Sequence, residues 1–326
     1  MDTTTRRVAV ALGALPLLLT AACAPGGPPD AGPGEPAITV EHGLGTAELA
    51  APPERVVTLS LGDTDLALAL GVTPVAMEAF WGSDSGVAPW QEDALAGAAV
   101  TVLRPDADGA VPIEQVAAAE PDLILATGLY TVDEQYGRLS QIAPTVAYRN
   151  GPLRDTWQES ATAAGAALGR AEEAGELVAA LEARLADTAA GHPEFDGATF
   201  TFSQAHEPGA LSVMRSTDDV TAVLLAELGL VMSEEAGELP GSEFSVRVGF
   251  EELEAIDADV ALVNFYAEDL RDDLEGNTVF RRLPVVEGGG YIPLTNEEFA
   301  PLRAATVLSV PEALDVMVPK LEDAVG

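Results

Sequence analysis

Three histidines, one cysteine and a large excess of carboxylates define the chemistry available to this 326-residue chain. Asp and Glu number 53 against 16 Lys and Arg, a net charge of −37. His42, His192 and His206 lie far apart and share no ligand spacing, so no metal site is read from them. Nucleophilic hydrolysis also lacks its parts. No Gly-x-Ser-x-Gly elbow is present, and no serine and histidine pair in a recognisable context. Paired carboxylates can hydrolyse sugars, but nothing in the spacing singles out one pair. These side chains point to binding without catalysis and to no resident cofactor; an extracellular hydrolase or a sensor module remains the alternative of a different class.

Cys23 has a chemistry of its own. Arg6 and Arg7 precede an apolar run from Val8 to Ala22 that ends in Thr20-Ala21-Ala22-Cys23. About 15 apolar residues are too few to span a bilayer, which takes about 20. Small residues before a cysteine resemble a lipobox, although Thr20 stands where Leu is usual. Residues 1–22 therefore read as an export signal, with Cys23 as the acylated residue that holds the protein to the outer face of the membrane. An ordinary secretory signal with an incidental cysteine, or an uncleaved anchor, is the alternative. The Pro- and Gly-rich segment 23–36 has the composition of a flexible tether. No other cysteine exists, so the mature fold holds no internal disulfide.

So acidic a chain repels nucleic acid, and it lacks the polybasic character of a peripheral membrane binder. Lys320 is the only lysine.

The body behind the tether alternates short apolar runs with helical patterns, which predicts an α/β fold. Strands are expected over 56–61, 73–77, 123–126, 211–214 and 260–264. Helices are expected over 64–70, 114–120, 219–228 and 251–256, with Gly71 and Gly229 as stops. Trp157, Ala161, Ala164, Leu168, Ala171, Val178, Leu181 and Leu185 recur on one helical face. Gly169-Arg170 should break this helix, and Gly191-His192-Pro193 should end it. The second part, about 20 residues, would be about 30 Å long. It serves as a rigid link between lobes or as a packing helix within one domain.

One theme occurs twice. Ile113-Glu114 through Pro121-Asp122 parallels Phe250-Glu251 through Ala258-Asp259, with an apolar residue two places after the Glu, Ala four after and Asp eight after. The expectation is two similar α/β lobes, 37–154 and 192–326, joined by the long helical segment 155–191, with a ligand cleft between them.

The run Pro53-Glu54-Arg55-Val56-Val57-Thr58-Leu59-Ser60 and the later Leu70-Gly71-Val72-Thr73-Pro74-Val75 resemble the opening of the iron-siderophore and cobalamin type of periplasmic substrate-binding protein. Pro121-Asp122-Leu123-Ile124-Leu125-Ala126, Leu283-Pro284-Val285-Val286-Glu287-Gly288-Gly289 and Ser309-Val310-Pro311-Glu312-Ala313-Leu314 extend the likeness over the whole mature chain. Gly288-Gly289-Gly290 departs from the usual Gly-Arg or Gly-His pair, and Arg303 stands where Ser or Pro is common. The resemblance implies capture of a ferric siderophore by a monomer and its delivery to an ABC permease dimer. Haem or cobalamin is the alternative ligand within this class. It also implies one permease-docking glutamate per lobe, which the repeated motif places at Glu114 and Glu251. Each glutamate equally suits a plain helix N-terminus.

Ligands of open α/β sheets lie beyond the C-terminal ends of the strands. Residues there include Trp81, Tyr130, Tyr148 and Arg149 in the first lobe and Met214, Arg215, Phe244 and Tyr266 in the second; Arg303 joins them as the family departure. Aromatics suit the flat, apolar parts of a chelate, and arginines suit anionic oxygen donors. Each aromatic is equally able to plug a lobe surface, and Trp90 reads as such a plug.

Overall fold

A computed structural model describes residues 37–326 except 107, 153, 242 and 243. The export segment 1–22, the tether 23–36 and Cys23 lie outside the described residues.

Short runs dense in Val, Ile, Leu and Thr form strands that are buried on both faces, as parallel strands covered by helices require. Val56–Thr58, Leu123–Ala126 and Thr145–Ala147 have every residue buried. They belong to a five-stranded parallel sheet in the order Thr101–Leu103, Ala76–Glu78, Val56–Thr58, Leu123–Ala126, Thr145–Ala147. A hairpin that the sequence reading omitted, Ile38–His42 with Gly45–Leu49, packs Val40, Ala47 and Leu49 onto the same core.

The second sheet runs Ser245–Gly249, Ala210–Met214, Thr199–Glu207, Val260–Phe265, Tyr291–Leu294, with Val231–Met232 beside the start of Thr199–Glu207. Ala210–Met214 is antiparallel to both neighbours, and the other pairings are parallel. The repeated motif reappears here as structure. Asp122 accepts the backbone N–H groups of Glu54 and Arg55 at 2.8 and 2.9 Å, at the entrance to Val56–Thr58. Asp259 does the same for Thr199 at 2.8 Å, at the entrance to Thr199–Glu207. The likeness stops at the helices. Ile113–Ala118 is an α-helix, whereas its counterpart is one 3₁₀ turn, Leu253–Ile256, in place of the helix expected over 251–256.

The helical segment breaks where glycine allows it. Trp157–Ala167 opens with a capping box between Thr156 and Glu159, and Gly169, at φ +70°, ends it in the left-handed region. Ala171–Gly191 follows as 21 residues. Ala174 is buried in the first lobe's core and Leu181 and Leu185 in the second's, so one helix is shared by both. Ala171, expected on the buried face, is exposed. No helix among the described residues is long and apolar enough to cross a membrane.

A second joint closes the lobes together. Asp65, fully buried, accepts hydrogen bonds from Trp90 Nε1 at 2.8 Å, from Gln91 Nε2 at 2.5 Å and from the Thr306 hydroxyl of the C-terminal stretch. Burial pushes the Asp65 and Asp63 carboxyls up to about 6. Burial and the neighbouring Asp63 charge push Glu78 to about 7. The folded protein therefore binds these protons more readily than the unfolded chain does, so stability grows as pH falls through the window from about 7 to about 4.5. Carboxyls held low by backbone donors, such as Glu159 and Asp259, oppose this only below that window. Relief of self-repulsion at −37 acts in the same direction. The thermal midpoint should rise by several degrees between about pH 8 and about pH 5; a midpoint that falls steadily over that range contradicts the account.

Candidate ligand-binding cleft

The cleft begins where strands of the first sheet end. Thr58 leads to Ser60, the N-cap of helix Leu61–Ala69, whose side chain accepts the Asp63 N–H. The Ser60 hydroxyl donates to Asp63 Oδ2 at 2.6 Å, and Thr127, just past Leu123–Ala126, donates to Asp63 through its backbone N–H at 3.1 Å and its hydroxyl at 2.6 Å. One buried carboxylate thus ties two strand-end turns into a floor. The turns approach so closely that a Cβ on Gly128 would stand 2.9 Å from both the Cβ and Oγ of Ser60, so only glycine fits there.

Over this floor lies a cavity of about 390 Å³. The first lobe contributes Ser60 to Asp63, Trp81, Thr127 and Gly128; Asp155, Trp157, Ser160 and Ala161 form the wall; Val220 and Arg303 to Val307 close it from the second lobe. A second cavity of about 510 Å³ shares Asp155, Trp157, Val220 and Ala305 with the first. It extends along Arg154, Asp218, Val223, Leu224, Glu227 and Phe244. Both sizes suit small-molecule sites. Trp81, Val220, Val223 and Phe244, exposed large apolar side chains, all face these cavities. Exposed apolar groups gathered in one concave place mark a binding surface.

The charged groups of the linings are mainly acidic. Arg303 stands 3.6 Å from Asp219, the N-cap of helix Val220–Glu227. Burial raises the Glu227 carboxyl above its usual range, and the Gln158 and Trp157 side chains oppose this.

The sequence-derived candidates separate into three groups. Trp81 and Arg303 line the first cavity and Phe244 the second. Tyr148 and Met214 are corrected to core positions. Tyr148 is 8% exposed with its hydroxyl 2.5 Å from Asp133, and Met214 packs among Phe200, Phe202 and Leu224. Tyr130, Arg149, Arg215 and Tyr266 lie outside both linings. Tyr130 donates to the Asp108 carbonyl at 3.0 Å, Arg215 donates to the Leu239 carbonyl at 2.8 Å, and Tyr266 meets His206 edge-on. Trp90 is the plug expected of it, held by Asp65 and packed edge-on against Phe80. The sequence reading missed Ser60, Asp63, Thr127, Trp157 and the 304–307 segment. The Ser60-x-x-Asp63 N-cap signal after a strand was legible locally; the distant partners were not.

Glu114 and Glu251 are both exposed, each ahead of the segment that leads into a parallel strand of its own lobe. Glu114 pairs loosely with Arg138 at 3.6 Å. Away from the cleft, His192 Nδ1 meets Glu194 at 3.1 Å and Glu322 at 3.3 Å, a grouping of possible metal ligands that sequence spacing did not reveal. It clips the last helix, Ser309–Val325, to the end of Ala171–Gly191.

The chain is similar to known proteins along most of its length. It is 26% identical over 266 residues to a Bacillus subtilis protein named "Probable siderophore-binding lipoprotein YfiY", covering 77% of this chain and 78% of that one. A periplasmic solute binding protein from Mycobacterium smegmatis superposes with a TM-score of 0.77 at 29% identity, over 89% of this chain and 99% of that one. Streptococcus pneumoniae PiaA in complex with ferrichrome superposes with a TM-score of 0.72 at 28% identity, over 88% and 98%. Residues 56–290 match the model of one family along both sheets and the shared helix, and the chain therefore belongs to the periplasmic binding protein family.

Proposed function

We propose that this protein is a lipid-anchored, extracellular substrate-binding protein that captures a ferric siderophore and delivers it to an ABC permease. The observation that carries this reading is the cleft at the junction of the lobes, where Trp81, Trp157 and Phe244 gather and where the Ser60 hydroxyl is committed to the buried Asp63. Such a site holds a preformed molecule and does not transform it. The B. subtilis relative's name and the ferrichrome complex of the S. pneumoniae neighbour support an iron chelate as the cargo. Tyr130 and Tyr266, the residues that would offer haem an axial ligand, stand outside the cavity linings, which favours a chelate whose metal is already saturated.

In this reading Cys23 carries the lipid, 23–36 is the tether, and Glu114 and Glu251 dock one lobe each onto the permease dimer. The lobes correspond to 37–154 and 192–326, with 155–191 linking them.

Ferric siderophores should quench the tryptophan fluorescence of the purified protein at micromolar concentrations or below, since Trp81 and Trp157 both line the cavity. Trp81→Ala should weaken binding by about 10-fold or more, because a half-exposed indole becomes fully desolvated against the ligand. Flat titrations across hydroxamate, catecholate and carboxylate chelates would sink the assignment.

A further inference from the structure

The charge of the cleft selects among chelates. Asp63, Asp155, Asp218 and Glu227 line the two cavities against Arg154 and Arg303. Arg303 is already engaged by Asp219 at 3.6 Å, so its guanidinium balances a carboxylate of the protein before any ligand arrives. Further acidic groups stand behind the lining: Glu78 feels the charge of Asp63, and Glu227 feels that of Glu182. The arginines expected to greet an anionic ligand, Arg149 and Arg215, lie outside both linings, and Arg215 points its Nε at the Leu239 carbonyl.

The geometry points to a cationic or neutral ferric trihydroxamate as the ligand class of this cleft, with anionic catecholate and carboxylate chelates rejected by charge. This rests on the siderophore reading above. Each hydroxamate loses one proton on binding iron, so three balance the ferric ion and a free amine elsewhere makes the complex cationic. Each catecholate loses two, so three leave a trianion. An unbalanced carboxylate about 8 Å from a unit charge, at an effective dielectric of about 20, alters a binding constant roughly 30-fold. With acidic residues outnumbering arginines in the linings, a trianion meets that penalty more than once. The apolar walls from Trp81, Trp157, Val220 and Phe244 meanwhile suit the aliphatic loops of a hydroxamate chelate.

The test titrates the purified protein with ferrioxamine B, which is cationic, ferrichrome, which is neutral, and ferric enterobactin, which is trianionic, following tryptophan quenching at low and high salt. The expected result is that the cationic or neutral chelate binds at least about 100-fold more tightly than the trianion, with the gap narrowing as salt screens it. Asp218→Lys, at an exposed lining position, should narrow the gap about 10-fold more without moving the thermal midpoint. Ferric enterobactin binding as tightly as the other two would overturn the charge selection while leaving the siderophore reading intact. A gap that Asp218→Lys leaves unchanged would overturn its electrostatic cause. Binding of none of the three would overturn the selection, and a flat titration with a ferric carboxylate chelate as well would overturn the siderophore reading.

Discussion

Replacing both Glu114 and Glu251 by arginine is expected to lower chelate uptake by cells about 100-fold or more, while the affinity of the purified protein for its ligand stays within about twofold. The size of the effect follows from the proposed docking. A carboxylate on each lobe meeting permease arginines becomes a guanidinium facing a guanidinium, and like charges juxtaposed at an interface cost several kcal/mol. The intact affinity follows from the fold, because neither residue lines a cavity. The Glu114–Arg138 pair is 87% and 61% exposed at its two side chains, and losing so exposed a pair costs less than about 1 kcal/mol. Uptake unchanged in the double variant would remove these residues from docking. Lost affinity would instead place them in the cleft or the folding core. Each single variant should show an intermediate loss, since the two lobes report separately to a two-fold partner.

Asp65→Ala is expected to destabilise the folded body by about 3–5 kcal/mol, lowering the thermal midpoint by roughly 10 °C. The substitution removes the acceptor shared by Trp90 Nε1, Gln91 Nε2 and the Thr306 hydroxyl, and leaves those donors in a buried or half-buried joint. Because Thr306 comes from the far end of the chain, the loss also frees the C-terminal stretch from the first lobe. The packing of Phe80 with Ala300, of Leu308 with Leu68 and Met77, of Val307 on the first lobe's core and of Trp81 on Phe299 would then carry that joint. Thr306→Val is the milder companion. It deletes, at nearly constant volume, a hydroxyl that donates to Asp65 and accepts the Ser309 N–H at 3.0 Å, so about 1–3 kcal/mol is expected. A loss below about 1 kcal/mol for Asp65→Ala would mean that water reaches the joint and satisfies the orphaned donors.

Sequence and tertiary structure divide this protein along a physical line. Whatever depends on neighbours within a few turns was legible in the chain. Leu123–Ala126 reads as a buried strand because four apolar residues follow a Pro-Asp turn, and it is a strand over those same residues. Gly169 breaks the helical segment because a left-handed residue is cheap only for glycine, and Ala171–Gly191 then runs unbroken for 21 residues. Asp122 and Asp259 could be matched by spacing within their motifs, although the N–H groups that they accept, those of Glu54 and Thr199, lie 68 and 60 residues earlier in the chain. The hairpin Ile38–His42 with Gly45–Leu49 escaped because its burial comes from elements far along the chain.

The candidate site shows the limit most sharply. Trp81 and Tyr148 carry the same local signal, an aromatic just past a parallel strand. Asp133 on helix Val132–Leu139 takes the Tyr148 hydroxyl and draws that ring into the core, whereas Trp81 rests on Phe80 and Phe299 and stays 56% exposed over the cleft. No local pattern distinguishes them, because the deciding neighbour of Trp81 lies in the other lobe. The cleft is likewise assembled from Ser60, Asp63, Thr127, Trp157, Val220 and the 304–307 segment, with Ser60 and Val307 separated by 247 residues in the chain. The chain alone indicated an α/β body in which a long helical segment separates two similar passages, and left open whether that helix links lobes or packs within one domain. Only the tertiary structure decided which side chains line the cleft and that acidic residues outnumber arginines among them. Backbone preference acts over a few residues, while the meeting of two lobes is fixed by packing between surfaces that the chain keeps far apart.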